Sequence, residues 1–355
     1  MKRLRTRTSV SVSSERERRL REQPDAEATI SRRRFMRAGL TGAVLLAAPY
    51  DASKLEHIAG PPIELVVPFP KGGSSYFLAD VLAQAMYREF DWPVRLEVRS
   101  GDYGIAGLSA LEGPANGRTM YLGSIITNSM TPIFHRDQIP FDYDRIVEPL
   151  TKLALFPSVF MVNSACKANS VEEFLGELKR RTGTLVYGTD FLGTTADIVA
   201  IELAKTAGLK LAYRATSGAL SILAELMKNR IDATWLNAVT ATHNRGKYKA
   251  LAIIGAHRLA DFPGVPTLAE AGYPGIGAPF WQGLFITRGT SPQSVADLYA
   301  AAARAMRSAR ARAALSQVDA TVDVSASPQA FAAEISRERA TWSAMKSELL
   351  SLRRI

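Results

Sequence analysis

The sequence is poor in the residues that soft-metal and redox chemistry needs. It holds a single cysteine, Cys166, in 355 residues. That excludes an intrachain disulfide, a tetracysteine zinc site and a CxxC redox pair. Its four histidines, His57, His135, His243 and His257, fall at no HExxH or HxxxH spacing, so no histidine-rich metal site is encoded and no cofactor is expected. A GxSxG nucleophile elbow, a Walker A loop and a GxGxxG placed after a strand are also missing, which argues against an enzyme. Long apolar runs are absent too: residues 38–48 form an apolar stretch too short to span a hydrocarbon core about 30 Å thick.

What is present is the composition of a soluble globular protein, 47% apolar and 22% charged, long enough for about two domains and a large core. The net charge of +10 is unevenly spread. The first 37 residues carry twelve basic and five acidic side chains, and the remainder carries 32 and 29. The body is nearly balanced, so nucleic acid is not an expected partner.

Residues 1–30 are rich in Arg, Glu and Ser, lack apolar periodicity and read as disordered. Ser31-Arg32-Arg33-Arg34-Phe35 then precedes the short apolar run. A basic region followed by such a run is the plan of an export signal, and the paired arginines resemble the twin-arginine signal. Residues 1–52 are therefore assigned to export, which makes the protein periplasmic and the twin-arginine machinery a partner. No clear small-x-small cleavage site follows.

Beyond residue 60 the apolar pattern alternates strand and helix. Ile63-Glu64-Leu65-Val66-Val67-Pro68-Phe69 reads as a buried strand. After a Lys-Gly-Gly-Ser-Ser loop, Phe77, Leu78, Val81, Leu82, Ala85 and Met86 fall at helical spacing. Strands follow at 94–98 and 120–124, an order that predicts a parallel sheet flanked by helices. The plan restarts with a strand at 157–162, a helix opened by Ser170, a strand at 185–187, and a helix capped by Thr194 or Thr195 and stopped by Gly208. A further helix at 219–228 and strands at 231–236 and 250–254 complete it, and residues 294–352 read as mostly helical. Each half thus has a strand ending in a Gly/Ser/Thr loop that opens a helix. Such a loop offers free N–H groups at the positive end of a helix dipole and suits an anion.

Ile63-Glu64-Leu65-Val66-Val67-Pro68-Phe69-Pro70-Lys71-Gly72-Gly73-Ser74 resembles the opening motif of the Bug family, the extracytoplasmic solute receptors of tripartite tricarboxylate transporters. The order of later landmarks is similar as well: Gly117-Arg118-Thr119-Met120-Tyr121-Leu122-Gly123-Ser124, Phe262-Pro263-Gly264-Val265-Pro266-Thr267-Leu268-Ala269-Glu270-Ala271-Gly272-Tyr273-Pro274-Gly275, and Trp281-Gln282-Gly283-Leu284-Phe285. The resemblance spans about residues 61–345. It implies an α/β, two-lobed periplasmic-binding-protein fold of the second type, with lobe 1 at 60–163 and 282–355 and lobe 2 at 164–281. It further implies a monomer that grips a small organic carboxylate in the interlobe cleft through backbone amides of two loops and passes it to membrane permease subunits. The implied contacts are Lys71, Gly72, Gly73, Ser74, Ser75, Tyr76 and Ser124 from lobe 1, then Gly188, Thr189, Asp190, Phe191, Gly193, Thr194 and Thr195 from lobe 2, with Trp281 at the lobe crossing or filling the hinge.

The chain departs from the family pattern near both loops. Tyr76 and Asp80 stand where the family usually has Asp and Arg, Asp190-Phe191 sits inside the second loop, and Asp197 replaces a frequent His. Asp197 is expected to be solvated. These changes suggest a ligand that is aromatic or carries an amine. Two other readings stay open: a sensor that presents ligand to a membrane kinase, and an enzyme on the same fold.

Overall fold

The computed structural model describes residues 62–354 apart from Phe191, Ser217, Ala278 and Pro279. The expected export signal therefore lies outside the described residues, as does the site residue Phe191.

Among the described residues, twelve strands build two six-stranded sheets. In chain order they are β1 (Ile63–Val67), β2 (Val94–Val98), β3 (Thr119–Ser124), β4 (Val147–Phe156), β5 (Ser158–Asn163), β6 (Thr184–Thr189), β7 (Lys210–Ala215), β8 (Ala233–Asn237), β9 (Tyr248–Ile254), β10 (Phe280–Thr287), β11 (Thr321–Val322) and β12 (Arg353–Arg354). The first sheet runs β11-β4-β10-β3-β1-β2 and the second β12-β7-β6-β8-β5-β9. In the first, β1 pairs parallel to both β2 and β3, and β10 lies antiparallel between β3 and β4. In the second, β6 pairs parallel to β7 and β8, and β5 lies antiparallel between β8 and β9. The loose duplication in the sequence is thus a repeated topology.

The principal helices are α1 (Ser74–Phe90), α2 (Val171–Arg181), α3 (Thr195–Ala207), α4 (Ala219–Met227), α5 (Ala238–His243), α6 (Pro292–Arg307), α7 (Ala309–Ser316) and α8 (Pro328–Leu350). Leu65, Val66 and Val67 of β1 are all buried, because helices cover both faces of the sheet. That is why its sequence is a continuous apolar run and not an alternation. On one face Leu78, Leu82 and Met86 of α1 pack with Leu298, Ala302 and Met306 of α6. On the other, Tyr121, Trp281 and Phe285 pack with Phe331 and Trp342 of α8. The second lobe closes around Phe160, Phe174, Tyr187 and Trp235.

The chain changes sheet at Pro157. Phe156 of β4 pairs with Phe280 in the first sheet, whereas Ser158 of β5 pairs with Asn237 and Ile254 in the second. Proline has no N–H to continue a ladder, and the switch falls on it. This corrects the expected lobe boundary after residue 163, since β5 belongs to the second sheet. The return crossing ends where β10 begins, at Phe280. The expectation that 282–355 stays in lobe 1 also fails at its end: Arg353 and Arg354 pair with Ala212 and Tyr213 of β7, a third crossing.

Candidate functional site

In each sheet the first parallel strand sits between the other two, so the chain leaves it in opposite directions. The crevice at the carboxyl ends of such strands is where α/β sheets bind ligands. In the first lobe that point lies at the ends of β1 and β3. In the second it lies at the ends of β6 and β8.

At the first-lobe crevice the loop after β1 leads into α1. Gly72 has φ +94°, a left-handed conformation that favours glycine. Gly73 is the N-cap with φ −90° and ψ 171°, no side chain caps the helix, and its first turn holds no acidic residue. The first backbone N–H groups of a helix have no partner within it, so α1 keeps its positive end open. Ser75 is buried at this end. Lys71 is exposed, with its Nζ 5.6 Å from the centre of the Tyr76 ring. One turn on, Asp80 accepts a bond of 2.8 Å from Gln84, and burial holds its carboxyl above the usual range.

Gln282 joins this site, although the sequence reading did not single it out. It is fully buried on β10, in register with Ser124 of β3. Its Nε2 donates to Ser74 Oγ at 3.1 Å, and its Oε1 is buried without a hydrogen-bond partner. A polar residue in a strand that is otherwise apolar was the signal available in the sequence. Ser124 itself is turned inward: Thr127 N donates to its Oγ at 3.3 Å, capping the helical segment Ile125–Met130.

The second loop differs from expectation. Thr194 is the N-cap of α3. However, the N–H groups of Gly193 and Thr194, expected to hold the ligand, both donate to Asp197 Oδ2, at 2.8 and 2.6 Å. Thr194 Oγ1 donates to the same oxygen at 3.0 Å, and the Tyr187 hydroxyl donates to Oδ1 at 2.5 Å. Asp197 is wholly buried, not solvated, because these four donors offset its desolvation. Burial still prevails and raises its carboxyl to about 6. Gly188 lies within β6, where a Cβ would meet Ile231 and Ile222 side chains at 2.5 and 2.9 Å; its role is packing. Thr189 Oγ1 lies 3.2 Å from Thr194 Oγ1. Asp190 is exposed and accepts the Gly218 N–H at 2.9 Å, tying the loop after β6 to the loop after β7. Thr195, half-buried, is the first residue of α3.

Trp281 does not line the cleft. It is fully buried in the first lobe, 5.2 Å from Phe331 between ring centres, and its Nε1 donates to Glu338 Oε1 at 2.9 Å. The lobes meet instead through the stretch after β3. His135 Nε2 lies 2.8 Å from Leu192 O, and its ring stacks on Tyr103 at 4.6 Å. A Cβ on Gly193 would meet Phe134 at 2.9 Å. Ile198 and Ile201 of α3 share one apolar cluster with Ile125, Met130 and Trp342.

The profile described as "Tripartite tricarboxylate transporter family receptor" matches residues 78–349. The chain belongs to this family. Among curated relatives, the protein BugT of Bordetella pertussis is 28% identical over 253 residues, covering 70% of this chain and 77% of BugT. Among solved structures, an R. palustris protein with adipate superposes with a TM-score of 0.70 at 24% identity, covering 83% of this chain and 98% of the other. MatC from Rhodopseudomonas palustris with bound malate gives 0.66 at 24% identity, covering 80% and 98%. The two-lobed receptor fold expected from the sequence is thereby established.

Proposed function

We propose that this chain is a periplasmic receptor that captures a small organic carboxylate at the open end of α1 and delivers it to the permease subunits of a tripartite transporter. The observation that carries this reading is the uncapped N-terminus of α1 beside Ser74 and Gln282, at the switch point of the first sheet. Free N–H groups and the helix dipole favour an anion there. The bound adipate and malate of the two Rhodopseudomonas palustris proteins support the ligand class. The grip is asymmetric: the amides of α1 face the carboxylate, whereas those of Gly193 and Thr194 already serve Asp197. Closure would bring the loop after β6 over the far end of the ligand, since contacts from both lobes exist together only in the closed form.

Native mass spectrometry of the protein purified from its own periplasm tests this reading. A bound organic acid is expected. A nucleotide or a metal in its place would contradict it.

A further inference from the structure

Asp197 occupies in the second lobe the position that the first lobe leaves open. The carboxylate has about four lone-pair sites, and four donors meet it: the N–H groups of Gly193 and Thr194, the Thr194 hydroxyl and the Tyr187 hydroxyl. The corresponding first turn of α1 holds no acid, and its N-cap is a glycine. Two helix ends at equivalent points of one repeated topology therefore differ in charge. One awaits an anion and the other carries its own. Asp190 adds a second carboxylate to the same loop, held by the Gly218 N–H.

Resting on the carboxylate-receptor reading above, we propose that Asp197 sets the class of ligand: a solute with one carboxylate, held at α1, whose far end is an ammonium or a hydroxyl and not a second carboxylate. A second carboxylate has two ways to approach the loop after β6, and both are unfavourable. It can displace Asp197 from all four donors. Otherwise it must lie close to a like charge in a region of low polarisability, where repulsion is strong. An ammonium meets the reverse situation, with the Asp190 carboxylate at the surface of the loop and the Asp197 charge behind it. A hydroxyl carries no charge to be repelled and can pair with a neutral group such as Thr195, half-buried at the start of α3.

Calorimetry on the mature chain with two chain-length-matched pairs tests this: succinate against 4-aminobutanoate, and adipate against 6-aminohexanoate. The wild type should bind the amino acid of at least one pair tenfold or more tighter than its dicarboxylate. Asp197→Ser vacates the Gly193 and Thr194 N–H groups and should narrow or invert that preference by tenfold. Asp197→Asn removes the charge at nearly constant shape; it should narrow the preference too, and it carries the test if the serine variant does not fold. Dicarboxylates bound as tightly as their amino-acid partners in both pairs by the wild type would overturn the inference, as would an unchanged preference in a folded Asp197 variant. Failure of the receptor reading has a different appearance: no probe binds wild type or variant and no organic acid copurifies, and the inference then falls with it.

Discussion

Gln282 and Ser74 meet across 3.1 Å, the buried side-chain amide donating to the hydroxyl of the first residue of α1. A hydroxyl that accepts keeps its own proton for another acceptor. The bond therefore leaves the Ser74 O–H available to donate while fixing the start of the helix to β10. Gln282→Leu should weaken binding of the copurifying acid by about 1 kcal/mol, roughly fivefold. Stability should hold or rise, because the change also removes a buried, unpaired Oε1. Unaltered affinity by calorimetry would remove Gln282 from the site.

Gly73 offers the converse change. Its φ of −90° and ψ of 171° are those of an ordinary N-cap, and a Cβ there meets only Pro70 O, at 3.7 Å. The demanding glycine of this loop is Gly72, at φ +94°. Gly73→Asp would supply α1 with the internal anion that Asp197 already gives α3. Thermal unfolding should show a gain of a few tenths to about 1 kcal/mol, and ligand affinity should drop at least tenfold. A stabilised variant that binds normally would place the anion site elsewhere.

Much of this site was legible in the sequence. Of the two caps offered for α3, Thr194 is the one used, Ser170 capped α2 as expected, and Gly208 stopped α3 in the left-handed conformation; Ser74 and Ser75, read as loop, already belong to α1. The strands β4 and β10 were not read as strands. Pro149 and Lys152 interrupt the apolar pattern of the first, and Gln282-Gly283 that of the second. Their pairing with each other, with register shifts at Gln282/Gly283 and Leu284/Phe285, supplies what local propensity does not. Asp197 was expected to be solvated, although Thr194-x-x-Asp197 has the spacing of a capping box. Its burial depends on Tyr187, ten residues away on another element, and no local pattern encodes that. Trp281 was offered to the cleft because of its place near the crossing, yet its partners Phe331 and Glu338 come from α8.

Asp197 should also leave a pH signature. Burial raises its carboxyl from 3.8 to about 6. The folded chain therefore holds a proton at pH values where the unfolded chain has released it. The contribution is most favourable below about 4 and is lost as pH rises through about 6. At 1.36 kcal/mol per unit the full span is on the order of 3 kcal/mol. Relative to Asp197→Asn, the wild type should gain stability between pH 7.5 and pH 4.5 in denaturant melts. A difference that does not change with pH would contradict this account of the carboxylate.

Export carries its own test. If Arg32 and Arg33 are read by the twin-arginine machinery, changing both to Lys should leave the protein in the cytoplasm, as judged by fractionation. A variant that reaches the periplasm as the wild type does would exclude that route.

The most direct measurement is a crystal structure of the protein purified from the periplasm with its resident acid. A ligand carboxylate should lie about 3 Å from backbone N–H groups in the first turn of α1, next to Ser74 and Gln282, with Asp197 still bonded to Gly193 and Thr194. A carboxylate seated on Gly193 and Thr194 with Asp197 displaced, and the end of α1 empty, would contradict the account.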